Sequence, residues 1–128
     1  MFTPILSERE AAQYSPVTLA YIGDGVYELI VRLRLIQNGD RRIEDFHKSA
    51  VEFVRSEAQQ SAVEKLIPQL TPDELAIVKR GKNAKNTTSR DAVSHRAATG
   101  FEALIGYLYL TGEIDRITEL LFLCEKKK

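Results

Sequence analysis

The sequence predicts an all-α fold in a single domain covering residues 1–128, and three observations carry that expectation. Apolar residues recur at helical spacing in almost every segment. Helix-start signals, a Ser or Thr followed by Pro or by Glu at the third position, stand in front of them. No run alternates apolar and polar residues as a half-buried strand does. A chain of this length suits one hydrophobic core and is too short for two ordinary domains.

Ser7-Glu8-Arg9-Glu10 reads as a capping box opening a short helix. Ser15 and Pro16 open a longer one, Ser as N-cap and Pro where a missing N–H costs nothing. It runs through LAYIGDGVYELIVRLRLI and stops at Asn38-Gly39. A third stretch covers Glu44 to Ile67 and ends at Pro68, with Val51, Val54, Ala58 and Ala62 on one buried face. Thr71-Pro72-Asp73-Glu74 combines an N-cap, a first-turn Pro and a capping-box Glu, starting a helix that ends near Lys79-Arg80-Gly81. Residues 81–91, GKNAKNTTSRD, read as an exposed loop. Helix resumes at Ala92 and runs to Thr111-Gly112. A last amphipathic helix uses Ile114, Ile117, Leu120, Leu121 and Cys124.

With 44% apolar and 28% charged residues the composition is that of an ordinary globular protein. Cys124 is the single cysteine, which argues against a disulfide framework and a structural zinc site. The N-terminus lacks the features of a secretory signal, and no apolar stretch reaches the ~20 residues of a membrane span. The expectation is a cytoplasmic protein. Formal net charge is zero, but charge is segregated: Lys79, Arg80, Lys82, Lys85 and Arg90 follow one another with no acid between them. Acids collect elsewhere, at Glu28, Glu44, Asp45, Glu52 and Glu57.

Two stretches are not explained by helix formation. In Ala20-Tyr-Ile-Gly-Asp-Gly-Val-Tyr-Glu28 two glycines flank Asp24 inside an apolar helix, each costing about 1 kcal/mol relative to alanine. Such a helix needs its backbone close to a neighbouring helix, a partner subunit or a ligand. In Thr99-Gly-Phe-Glu-Ala-Leu-Ile-Gly-Tyr-Leu-Tyr109 the acid Glu102 sits among core residues, and a buried carboxylate must be paired, hydrogen-bonded or bound to a cation. Asp24 as an ordinary salt-bridge partner, and Glu102 paired with Arg96 or Arg32, are the plain alternatives. Brought together by packing, the two carboxylates are hard oxygen ligands of the kind Mg²⁺ takes.

At this point a resemblance enters. LAYIGDGVYELIVRLRL resembles the signature helix of ribonuclease III, and TGFEALIGYLYLTGE the helix bearing that family's last catalytic glutamate. HKSAVEFVRSEAQ and VKRGKNAK are similar to the segments between, the latter to the basic loop of the short Mini-ribonuclease III branch, which has no appended double-stranded-RNA-binding domain. The likeness runs from Pro16 to Leu121 with the motifs in order.

The resemblance implies an Mg²⁺-dependent endoribonuclease that cuts double-stranded RNA as a homodimer packed through the signature helices, leaving 5′-phosphate and 3′-hydroxyl ends. Asp24 and Glu102 fall on its metal-binding, catalytic acids. Two further acids of the full-length enzymes are Ala20 and Thr99 here, which implies a more watery metal shell. Glu28, one turn beyond Asp24, either supports that shell or pairs with Arg32. Lys79, Arg80, Lys82, Asn83 and Lys85 would bind RNA through phosphates and 2′-hydroxyls. Precursor 23S ribosomal RNA is the substrate the branch implies, with room for an assisting ribosomal protein. A non-catalytic RNA-binding scaffold of the same fold is the alternative, and a helical dimerisation module unrelated to RNA is a third reading that the acid-free basic segment opposes. His47 and His95 attract no catalytic role.

Overall fold

A computed structural model describes residues 6–84 and 92–125; within it the described residues form helices and turns, with no strand. The helices are α1 (Glu8–Ala12), α2 (Pro16–Ile36), α3 (Ile43–Val54), α4 (Ser56–Leu66), α5 (Pro72–Lys82), α6 (Ala92–Leu110) and α7 (Ile114–Glu125), with a 3-10 turn at Ile67–Gln69. Both capping boxes form. Ser7 accepts from the Glu10 N–H while Glu10 accepts from that of Ser7, and Thr71 and Glu74 do the same. Ser15 caps α2, and Gly39 and Gly112 take the positive φ that terminates α2 and α6.

Helix α6 is the centre. From Phe101 to Leu108 all but Glu102 are buried, and α2, α4, α5 and α7 pack around it. A helix apolar around its whole circumference can exist in water only when so enclosed. Tyr27 of α2 meets Phe101 edge-on, the ring centroids 5.0 Å apart. Two crossings are backbone on backbone. A Cβ on Gly23 would stand 1.7 Å from the Glu102 carbonyl oxygen, and one on Gly106 would stand 1.9 Å from that of Leu19. Likewise Gly81 of α5 fits against Gly100 of α6.

The long helix expected from Glu44 to Ile67 is two helices. Arg55 is extended (φ −70°, ψ 156°), and the carbonyl of Val54 accepts instead from the Gln59 side chain at 3.2 Å. The break turns α3 outward: it carries no fully buried residue, and Val51, expected on the buried face, is exposed. Ile114 is exposed too, while Ile117, Leu120 and Leu121 are buried. Helix α5 continues through Lys82, so Gly81 and Lys82 belong to helix, not loop. Residues 85–91 of the expected loop lie outside the described residues.

Two further contacts lock the bundle. Glu74 accepts from Arg116 of α7 through both carboxylate oxygens, at 2.7 and 2.8 Å, and this hydrogen-bonded guanidinium holds its carboxyl below the usual carboxylate range. Arg80 donates to the Ala12 and Tyr14 carbonyls, both at 2.8 Å, tying α5 to the end of α1. Burial pushes the Cys124 thiol up to about 11, as befits a half-buried packing residue.

Candidate active site

Asp24 sits on α2 beside the Gly23 crossing, and Glu102 is the α6 residue whose carbonyl that crossing touches. The glycine lets the helix backbones meet, and the meeting brings the two acids together. Asp24 is exposed; Glu102 is partly buried behind it. Burial, then the negative charge of Asp24, push the Glu102 carboxyl up to about 8, with a hydrogen bond to Asp24 and the charge of Glu28 adding to the rise. The Gln59 amide, close by, works the other way. With no ion present, these influences favour the protonated form of Glu102.

Among the described residues no cation acts on Glu102. Arg32, one of its expected partners, lies 4.0 Å from Glu28, and Arg96 is absent from the groups that shift it. Glu28 thus does two things: it makes the expected pair with Arg32 and adds negative charge to the site. Among the described residues no three His, Cys, Asp or Glu side chains converge. Ala20 is buried in the core, and the Thr99 hydroxyl donates to the His95 carbonyl at 2.9 Å, so neither position offers a carboxylate. His95 itself faces Ser56 at 3.4 Å.

This donor set fits Mg²⁺: two hard oxygen donors that repel each other when both are ionised, leaving most of an octahedral shell to water and substrate phosphate. A further observation agrees. Gln59, fully buried beside Glu102, has a side-chain oxygen with no hydrogen-bond partner. Gln59 is hard to single out from sequence alone. Its signal was a polar residue in register with Val63 and Leu66, on the stripe that α4 buries.

The basic residues divide. Lys79 and Asn83 are exposed, Lys82 is half-buried, and Lys85 lies outside the described residues. The Lys82 side chain passes over Gly100, on the face of α6 that meets α5, whereas Glu102 meets α2. Two guanidinium nitrogens of Arg80, in contrast, already serve the carbonyls of Ala12 and Tyr14, which gives it a structural task.

Residues 17–113 match the Ribonuclease III domain family. The chain is 46% identical over 109 residues to the Mini-ribonuclease 3 of Symbiobacterium thermophilum, a match covering 83% of this chain and 84% of that protein. It is 49% identical over 113 residues to the Mini-ribonuclease 3 of Synechocystis, covering 87% and 78%. Its fold is similar to that of a Fusobacterium nucleatum protein solved by X-ray crystallography, with a TM-score of 0.79 and 30% identity over 87% of this chain and 91% of that one. Fold and matched residues define a ribonuclease III domain. The chain belongs to the ribonuclease III family, in its Mini-ribonuclease III branch, and is an endoribonuclease.

Proposed function

We propose that residues 1–128 form one catalytic domain that hydrolyses double-stranded RNA with Mg²⁺, working as a homodimer in the cytoplasm on the 23S ribosomal RNA precursor. The observation that carries the reading is the Asp24–Glu102 pair: two acids held together by a helix crossing, with no cation among the described residues acting on Glu102. Such a pair is costly in an empty protein and is relieved by a divalent ion. Mg²⁺, when bound, activates water and offsets the charge that develops at a phosphodiester. Asp24 and Glu102 would hold it, Glu102 giving up its proton as it does so. Membership of the Mini-ribonuclease III branch supports the ribosomal RNA substrate.

The homodimer is supported by what α2 leaves uncovered. Val17, Tyr21, Leu29, Leu33 and Ile36 are exposed along it, Tyr21 by 79%. Gly25 has nothing within 4 Å of a Cβ position, leaving open space beside Asp24 for a second backbone. Continuous exposed apolar surface of this kind marks an interface.

The test is cleavage of a long RNA duplex with Mg²⁺, wild type beside Asp24→Asn. Staggered products from wild type and none from the variant are expected. Cleavage that survives in the variant sinks the assignment; a wild type that binds the duplex without cutting it favours the scaffold reading, for which the missing acids at Ala20 and Thr99 speak.

RNA contacts are assigned to Lys79, Lys82, Asn83 and Lys85, with Arg80 acting through the fold. Replacing Lys82 and Lys85 together by alanine is expected to weaken duplex binding and to flatten its log–log salt dependence by about 2, roughly one per lost phosphate contact. Filter binding from low to high salt reads this directly. An unchanged slope would mean that these lysines make no phosphate contact.

A further inference from the structure

Gln59 has no part in the mechanism so far, yet it lies against its centre. It is 1% exposed, on the stripe of α4 that faces the core. A carboxamide in that position has two N–H donors and one oxygen to satisfy. One donor is spent on the Val54 carbonyl, at 3.2 Å, where the chain breaks between α3 and α4. The amide also stands near enough to the Glu102 carboxyl to favour its charged form. Gln59 therefore links the end of α3 to an acid on α6, and its placement depends on the break at Arg55. Its oxygen has no partner, the one buried side-chain polar atom of which this is true among the described residues. An orphaned acceptor is costly to bury, and an apolar residue of the same shape would avoid that cost. The cost is accounted for when the oxygen finds its donor only in the occupied site.

We propose that Gln59 is a positioning residue for the ion site: its N–H orients the Glu102 carboxyl toward Asp24, and its oxygen accepts from a water in the hydration shell of the bound divalent cation. Partners outside the coordinating residues do this elsewhere in metal sites, and losing one typically weakens metal binding by about 10–100-fold. The inference rests on the divalent-ion reading of the Asp24–Glu102 pair.

The test titrates Mn²⁺ into the full chain without RNA, by calorimetry, for wild type, Asp24→Asn, Gln59→Leu and Gln59→Met. Wild type should bind, Asp24→Asn should not, and both Gln59 variants should bind about 10–100-fold more weakly. In cleavage assays the Mg²⁺ concentration for half-maximal rate should rise by the same factor, while KM for the duplex at saturating Mg²⁺ stays put. A role confined to packing would not produce that split. Wild-type Mn²⁺ affinity in a folded Gln59 variant overturns the proposal and leaves the metal site intact. Absence of Mn²⁺ binding in wild type overturns the metal reading itself, and the proposal with it. A second measurement needs no variant: the Gln59 side-chain amide signals of ¹⁵N-labelled wild type should move on Mg²⁺ addition, with the midpoint of the Asp24 and Glu102 backbone signals. Gln59 signals that stay still while those move overturn the proposal as well.

Discussion

Glu102→Gln is expected to abolish cleavage and, in the absence of divalent ions, to raise the melting temperature of the chain at pH 8. The two effects have one cause. Burial and the neighbouring Asp24 make the ionised form of Glu102 unfavourable in the fold, and its carboxyl is pushed from 4.5 up to about 8. A raised folded-state value means that the protonated fold contributes its full stability below about pH 4.5. That contribution is lost as pH rises through about 8. Metal-free wild type should therefore melt progressively lower across this window, whereas the Gln variant, with no proton to lose, should not decline from this source. For a chain of this size each 1 kcal/mol corresponds to about 4 °C, so a difference of a few degrees is readable by calorimetry. Mg²⁺ should reverse the order at pH 8, raising the wild type more than the variant, because the ion stabilises the charge that the empty site disfavours. Loss of several kcal/mol of metal-based stabilisation of the transition state corresponds to about a thousandfold in rate or more. Equal metal-free melting temperatures for the two proteins at pH 8 would mean that Glu102 is neither desolvated nor beside Asp24.

What was legible in the sequence was what is decided locally. Ser7 with Glu10, Ser15 with Pro16, and Thr71 with Glu74 cap helices through contacts within four residues, and all three form. The long-range decisions were harder to read. No Gly or Pro marks Arg55; α3 ends there because Gln59, from the next helix, takes the carbonyl of Val54. Gly81 reads as a helix stop but lies inside α5, where its missing side chain admits Gly100. Glycine at 39 and 112 serves backbone conformation, whereas at 23, 81, 100 and 106 it serves close approach. The residue type alone does not separate these uses. The acid pair was legible because two carboxylates interrupt apolar helices. Gln59 was not, since a single neutral polar residue on a buried stripe carries little signal. The task of Arg80 was hidden as well, because its acceptors are backbone carbonyls far back in the chain.

Gly23→Ala and Gly25→Ala should move stability in opposite directions although the positions are two residues apart on one helix. At Gly25 a methyl meets nothing of its own chain within 4 Å, so within the protomer the substitution brings only the better helix propensity of alanine, up to about 1 kcal/mol. At Gly23 the same methyl would stand 1.7 Å from the Glu102 carbonyl oxygen and 2.8 Å from the Gly106 nitrogen. Both are backbone atoms of the central helix, with no rotamer to give way. The α2–α6 crossing must open, and with it the packing of Leu19 and Tyr27 against α6. A cost of about 4 kcal/mol or more is expected, a large part of the stability of a domain this size. Thermal melts of the two variants test this together, and a Gly23→Ala protein that melts like wild type would refute the crossing. The consequence for chemistry follows from the same geometry. Any Gly23→Ala protein that remains folded in the cold holds Asp24 and Glu102 farther apart, so Mg²⁺ should no longer raise its melting temperature. Gly25→Ala, with the crossing intact, should keep that response, and any activity it loses would then report on the second backbone that the open space beside Asp24 admits.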